Sequence, residues 1–284
     1  MIDRASIFAD LRMGELLRTK FVPVALDQAY QRRQQDAEGE FYRRIAGQGP
    51  RHDFQQTTQG FYVATADGEL LLYNNNRDPE KVFRLVQAAL HGFDASADRA
   101  TPIAPIEAGK RDARYDPHPP EHGLVVRVHA KVLGGYAATE DVWQRMSQSA
   151  LSRDNLWITR SEHEALVRDE LPKTLVQRIA RFHLVDNTRG EPTMWRDDEV
   201  RELDVALENG RLRGIVHLET KDGARGYRAA LLGFVRADQG RIVRLDLVAD
   251  GRFWGEGPYT LGAPAGEFPL AVSLTLADGT DVAD

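Results

Sequence analysis

The sequence of 284 residues contains no cysteine. Disulfide bonds, thiolate metal ligands and thiol nucleophiles are therefore excluded from its chemistry. The sequence also lacks a run of about 18 apolar residues, the length that a membrane-spanning helix requires. Its first residues mix acidic and apolar side chains, which is not typical of a signal peptide. We therefore expect a cytoplasmic protein that binds no membrane.

A surplus of basic residues is missing as well. The formal net charge is −6, whereas proteins that bind nucleic acids in general present a basic surplus or stripe. We therefore expect the partner to be a protein or a small-molecule ligand, and not a nucleic acid. A chain of this length can form two domains, each with its own core.

The beginning of the sequence predicts a helix, a strand and a second helix. Apolar residues recur at helical spacing in residues 6–20, and the apolar run FVPVAL at 21–26 predicts a buried strand. Pro23 is unusual in a central strand, because it has no N–H to donate. The second helix is expected within residues 36–49, before two glycines.

A hairpin and a closing helix follow. The stretches GFYVAT and ELLLYN alternate in polarity around Ala66, Asp67 and Gly68, a combination that is typical of a β-hairpin. Asp78 is a suitable N-cap, and Pro79 suits the first position of the helix that follows. The predicted order is thus helix, strand, helix, strand, strand, helix.

This order resembles that of a thioredoxin-like domain from which the first strand has been removed. The resemblance is closer to the branch related to spermatogenesis-associated protein 20, in which a phrase similar to SFxDxxVxxLLNxxFVPVKVD occurs. The matching residues are Phe8, Asp10, Leu16, Leu17, Phe21, Val22, Pro23, Val24 and Asp27. The resemblance is confined to residues 1–95, and a generic α/β half-domain is the alternative interpretation.

Both parts of the thioredoxin redox site are missing from this segment. The family's Cys-x-x-Cys motif would fall at or before Met1, and Gln59 stands beside Thr58 where the family has a cis-proline. A cis peptide bond without proline costs about 3 kcal/mol, so we expect a trans bond there. Thiol–disulfide exchange needs a thiolate. The resemblance therefore implies a thioredoxin-like domain that is redox-inactive.

The remaining sequence predicts a connector and a second domain. Residues 96–122 are rich in proline and lack periodicity, which is typical of a semi-extended connector. Residues 123–284 predict an α+β domain with an antiparallel β-meander or partial barrel. Its turn signals are Asn209-Gly210, Asp222-Gly223, Gln239-Gly240 and Asp250-Gly251. The second domain resembles no family that we recognise.

The segment RIARFHLVDNTRGEPTMW, residues 178–195, is the most unusual stretch, because it places charged and polar residues around apolar ones and a turn bounded by glycine and proline. It predicts a catalytic site in which His183 acts as an acid or base, or as a metal ligand, and is oriented by Asp186. Arg189 and Glu191 would complete that site. The alternative is a helix C-terminus with basic residues, followed by an Asp-Asn turn.

Histidines on strands suggest a metal site in the same domain. His129 and His217 lie in alternating stretches beside charged residues. Together with His183 and a carboxylate they could hold a divalent transition metal, the cofactor that such ligands prefer. The alternative is that these histidines are structural or surface residues.

Two functions are compatible with these patterns. The first is a soluble two-domain binding or scaffold protein that contains a redox-inactive thioredoxin-like module. The second is an enzyme, with or without a metal, whose His, Asp and Glu residues form a site in the second domain.

We predict that the purified protein does not reduce the disulfides of insulin, with or without a thioredoxin reductase, because it has no thiol to donate. The measurement is the turbidity of reduced insulin over time, with thioredoxin as the positive control. Turnover above background in a preparation free of host thioredoxin would contradict the prediction.

Overall fold

The structure is a computed structural model that describes residues 7–93 and 119–277. The chain divides into two compact units, Asp3–His118 and Pro119–Asp284 together with Met1–Ile2. We refer to them as the N-terminal unit and the C-terminal unit. The predicted connector lies outside the described residues up to residue 118. Within the described ranges no helix has both the length and the apolar character needed to cross a bilayer.

The first helices of the N-terminal unit each begin after an aspartate whose carboxylate accepts N–H groups of the first turn. They are α1 (Leu11–Lys20, cap Asp10), α2 (Gln28–Gln31, cap Asp27) and α3 (Ala37–Ala46, cap Asp36). Helices α1 and α3 confirm the two predicted helices. Helix α2 was not expected, because four residues are too few to show a helical period.

The predicted hairpin and closing helix are confirmed. Strands β1 (Phe61–Ala64) and β2 (Leu70–Asn74) pair antiparallel, and Gly68 in their turn has a positive φ of 88°. Helix α4 (Pro79–His91) begins after Asp78, whose carboxylate accepts the N–H of Lys81. The unit's core combines α1, α4 and the hairpin, with Met13, Val82 and Val86 fully buried.

The prediction of a buried strand at residues 21–26 is wrong. This segment has no regular secondary structure, and Val22 is 89% exposed. The sheet of the N-terminal unit consists of β1 and β2, so the described residues offer the segment no strand to pair with. An apolar run becomes a buried strand only where a neighbouring strand accepts its backbone bonds, and the run itself does not specify that neighbour.

The C-terminal unit is built on a seven-stranded antiparallel sheet, which confirms the antiparallel sheet predicted for this part of the chain. The strands are β3 (Leu124–Val132), β4 (Asp154–Ile158), β5 (Val200–Glu208), β6 (Arg211–Glu219), β7 (Gly226–Asp238), β8 (Arg241–Trp254) and β9 (Glu267–Leu276). Their order across the sheet is β4-β3-β9-β8-β7-β6-β5. Alternation along β3 was read correctly, because Val126 and Val128 are buried.

Helical segments lie between the first strands of this unit. They are α5 (Val142–Ser149), α6 (Arg160–Val167), α7 (Lys173–Arg178) and a π-helix (Ile179–His183) that continues α7. A capping box formed by Thr159 and Glu162 begins α6. Strand β4 was not predicted. Its five residues stand between two helical patterns and have no glycine or proline to mark them.

One face of the sheet, which we call the inner face, packs on α6, α7 and the π-helix. Buried aliphatic and aromatic residues of all these elements form a single core. The π-helix contacts both edge strands, β4 and β5. The sheet therefore curves around the helices, and its opposite side, the outer face, is convex.

Three of the four predicted turns are confirmed. Positive φ angles at Asn209-Gly210, Gly223 and Gln239-Gly240 mark the turns after β5, β6 and β7. Asp250-Gly251 lies within β8 and makes no turn. A Cβ at Gly251 would lie 2.0 Å from the carbonyl oxygen of Arg228 on β7, so glycine is needed there for close approach of the two strands.

Candidate functional site

The predicted site segment begins in a π-helix. Residues Ile179–His183 continue α7 with the wider π turn, and the helix ends at Leu184. Single π turns are uncommon and occur often at functional sites. This one places His183 at the end of the helix, next to the edge strand β4.

The structure pairs His183 with a different aspartate from the predicted one. Nδ1 of His183 lies 2.9 Å from Oδ2 of Asp154, the first residue of β4. The His183 side chain is 10% exposed and that of Asp154 is 41% exposed. The prediction that Asp186 orients His183 is therefore wrong. With Nδ1 held by a carboxylate, Nε2 is the nitrogen that remains for proton transfer.

Asp186 and Arg189 form a buried ion pair of their own. Asp186 Oδ2 lies 2.6 Å from Arg189 Nη2, and the two side chains are 1% and 2% exposed. Neither of these two atoms has an aligned hydrogen-bond partner, so they attract each other mainly as charges. Asp186 Oδ1 accepts hydrogen bonds from the backbone and hydroxyl of Thr188.

The other guanidinium nitrogens of Arg189 hold two further loops. Nε donates to the carbonyl oxygen of Thr260 at 3.1 Å, and Nη1 donates to the hydroxyl of Tyr136 at 2.9 Å. Burial raises the pKa of Tyr136 above its ordinary value, although Arg189 opposes this shift. Tyr136 is therefore a neutral hydroxyl at physiological pH. The contacts give Arg189 a structural role, which was not predicted.

Glu191 does not take part in this pair, because its side chain is exposed to solvent. Of the four predicted catalytic residues, the structure thus brings Asp186 and Arg189 together and leaves His183 and Glu191 apart from them. Burial explains the difference. The sequence shows which polar residues are neighbours, but not which of them lose contact with water.

The three predicted metal ligands do not form one cluster. His129 lies on β3 and His217 on β6, and three strands separate them, a distance of about 19 Å at the usual strand spacing. His183 is held by Asp154, and His217 Nε2 lies 3.2 Å from Glu219 Oε2. Within residues 7–93 and 119–277 no group of three or more His, Asp or Glu residues could hold a metal ion. The described residues therefore do not bring the three predicted ligands together in one site.

The inner face contains two cavities that are too small to hold a substrate. Two cavities between the sheet and the helices measure about 10 and 20 Å³, and aliphatic side chains line nearly all of both. A single water molecule needs roughly 10 to 15 Å³. These two cavities are packing voids of the core.

The outer face carries a group of exposed apolar side chains that was not predicted. The group, which we call the outer patch, consists of Ile215, Ala230, Leu232, Phe234 and Val248 on β6, β7 and β8. Leu232 is directly opposite Val248, and Ile215 is directly opposite Ala230. Successive outward positions of β7 are thus filled by Ala230, Leu232 and Phe234, and the patch is contiguous.

A signal for the outer patch was present in the sequence. Residues 229–235 read AALLGFV, so apolar residues occupy both faces of β7. A strand with one solvated face normally alternates between apolar and polar residues. The absence of alternation in this run indicates either a strand buried on both faces or an exposed apolar surface, and the sequence does not distinguish the two.

Comparison with known proteins leaves the site to be interpreted on its geometry. No protein-family model matches the chain, and no curated protein or solved structure is detectably similar to it.

We predict that Asp186→Ala lowers the free energy of unfolding by about 3 to 5 kcal/mol, because it leaves the Arg189 guanidinium buried without its counter-ion. Glu191→Ala is the matched control from the same segment and should change it by less than about 0.5 kcal/mol, since Glu191 is exposed. The measurement is urea unfolding followed by fluorescence, for which the buried Trp195 is a suitable probe. A stable Asp186→Ala protein would return Asp186 to the list of candidate catalytic residues.

Proposed function

We propose that this chain is a protein-binding module and that the outer face of the C-terminal sheet is its binding surface. The outer patch is the observation that carries the proposal. Burial of apolar surface lowers the free energy by about 25 cal/mol per Å². A contiguous apolar patch that faces water does not gain this free energy until a partner covers it. Patches of this kind, surrounded by polar residues, are typical of surfaces that bind other proteins.

We further propose that the N-terminal unit is a redox-inactive, thioredoxin-like scaffold. The order of α1, α3, the hairpin and α4 supports this assignment, as does the resemblance of residues 1–95 to that class, although the strand expected at residues 21–26 is not formed. The missing cysteines exclude exchange chemistry, and the fold of such a domain does not require them, because function resides in sites and not in folds.

The proposed surface predicts where a partner can be crosslinked. A photo-crosslinking residue at Leu232 should give a discrete adduct with another protein in cells. Leu261 is the matched control, because it is also a leucine, is 68% exposed against 62% for Leu232, and lies in the loop between β8 and β9. The captured protein, once identified and purified, should bind Leu232→Asp about 10-fold more weakly than the wild type.

The control variant Leu261→Asp should bind that partner with unchanged affinity, as measured by calorimetry. Melting temperatures of both variants establish that each is folded. If Leu232 gives no adduct beyond that of Leu261, the outer patch does not bind a protein in the cell and the proposal falls.

A second candidate function is enzymatic acid–base catalysis, and the His183–Asp154 pair favours it. A carboxylate on Nδ1 orients an imidazole and fixes its tautomer, as in many general bases. The π turn beneath His183 is a further feature common at functional sites. The two inner-face cavities found among the described residues are too small for a substrate, which is why we place this candidate second.

The acid–base candidate predicts hydrolytic turnover that depends on His183. Incubation with a panel of nitrophenyl esters and phosphates would test it, with His183→Gln and Leu232→Asp compared side by side. If the candidate is correct, His183→Gln lowers the rate by about 100-fold or more, while Leu232→Asp leaves it unchanged. Turnover that persists in His183→Gln would show that His183 is not the acid or base, and the candidate falls.

A further inference from the structure

We propose that two copies of this chain associate through residues 21–26, FVPVAL, which we call the apolar segment, as an antiparallel pair of strands about a two-fold axis. This inference goes beyond the proposed function, because it concerns the N-terminal unit and not the outer patch. It rests on four observations: the exposure of the segment, its unpaired backbone, the position of its proline and the charges at its ends.

The apolar segment presents to solvent side chains that are normally buried. Val22, Val24 and Leu26 are 89%, 69% and 50% exposed, and they occupy alternate positions, so in an extended chain they share one face. The backbone is extended at Phe21 (φ −132°, ψ 165°) and at Asp27 (φ −76°, ψ 101°). The residue before a proline is restricted to extended angles as well. The segment therefore needs little rearrangement to act as a strand.

The backbone of the apolar segment is available for pairing. Within residues 7–93 and 119–277, the N–H and C=O groups of residues 22–26 make no hydrogen bond. The two strands of the N-terminal unit pair with each other, and neither pairs with the segment. An exposed row of unpaired backbone groups with apolar side chains is a template to which another strand can add.

Pro23 leaves the segment one complete edge for pairing. The backbone groups of successive residues point alternately to the two sides of a strand, so those of Val22, Val24 and Leu26 share one edge. The opposite edge contains Pro23, which has no N–H to donate. Because only the first edge is complete, association should end at two strands and not continue into a larger sheet.

A second copy of the segment is complementary to that edge. With the two-fold axis at Val24, this residue lies opposite Val24 of the other copy, and Val22 lies opposite Leu26 of the other copy. Each of these pairs can exchange two N–H···O=C bonds. The pairing thus satisfies every backbone group on the complete edge, and on one face it sets aliphatic side chains against aliphatic side chains.

The charges at the two ends of the segment favour the antiparallel arrangement. Lys20 and Asp27 are exposed, and neither forms an ion pair within the part of the chain that the structure describes. The preceding charges along the chain, Arg18 and Glu15, pair with each other. An antiparallel pair brings the lysine of one copy near the aspartate of the other at both ends, whereas a parallel pair brings like charges together. The segment is therefore complementary to itself, which favours a second copy over an unrelated strand.

The small size of the contact predicts a weak and reversible dimer. Interfaces that bury less than about 1,200 Å² belong mainly to transient complexes, and so short a segment remains in that class. We therefore expect monomers at about 1 µM protein and a large fraction of dimers at about 100 µM.

The first experiment measures the mass of the full chain by sedimentation between about 1 and 100 µM. The wild type should change from monomer to dimer and form nothing larger. Val24→Asp and Val24→Lys should each remain monomeric, because like charges would meet at the two-fold axis. An equal mixture of the two variants should recover the dimer, since opposite charges then meet there. Both variants should melt at the wild-type temperature, because Val24 is exposed.

The absence of cysteine allows a second experiment. Val24→Cys should form a disulfide-linked dimer on mild oxidation, because opposite residues of an antiparallel pair lie within the Cα distance that a disulfide spans. Leu261→Cys is the matched control, since Leu261 is 68% exposed against 69% for Val24. At about 100 µM protein the control should form linked dimers about 10-fold more slowly.

Four outcomes would overturn the inference. The first is a chain that stays monomeric at about 100 µM. The second is a dimer that survives Val24→Asp or is lost in Leu232→Asp, because association would then use another surface. The third is a mixture of the two Val24 variants that does not dimerise, and the fourth is equal oxidation of Val24→Cys and Leu261→Cys. The proposed function is tested separately, by crosslinking at Leu232, and does not depend on these results.

Discussion

The C-terminal unit depends on the burial of one face of its antiparallel sheet. Side chains alternate between the two faces of a strand, so every strand that contributes to the inner core must also present residues to the outside. The helices and the π turn cover the inner face and leave cavities of about 10 and 20 Å³. In the described residues, these two cavities of the inner face are packing voids that hold no ligand-sized space.

The buried pair of Asp186 and Arg189 holds together the loops at one end of this arrangement. Arg189 reaches Tyr136 after β3 and Thr260 after β8, so one guanidinium joins segments distant in sequence. A buried ion pair gains little net stability, since the desolvation of both charges offsets their attraction. Its contribution is geometric, because any other loop arrangement would leave a buried charge without its partner. Asp186 and Arg189, two of the four predicted catalytic residues, therefore hold loops of the fold in place.

Local features of the fold were predictable from the sequence, whereas features that join distant segments were not. The Asp78 cap, the hairpin and the Asn-Gly turn depend on a few consecutive residues, and all were found where they were expected. The strand predicted at residues 21–26 failed because pairing needs a neighbour that the run cannot specify. The partner of His183 was missed for the same reason, since Asp154 lies 29 residues away. Asp186 and Arg189 do lie together, as the sequence suggested. Because both are buried in an ion pair, however, we interpret them as structural residues and not as catalytic ones.

A purely structural explanation of the outer patch has to be weighed against binding. Apolar pairs across neighbouring strands stabilise a sheet by about 0.2 to 1 kcal/mol, and this accounts for Leu232 opposite Val248. It does not account for Phe234, which faces Asp246 across the strands, or for Ile215, which faces the small Ala230. Phe234 gains a cation–π contact with Arg244 at 5.3 Å, worth about 0.5 kcal/mol at an exposed site. Cross-strand pairing therefore explains one pair within the patch, and the exposure of the remaining apolar side chains is what a partner would relieve.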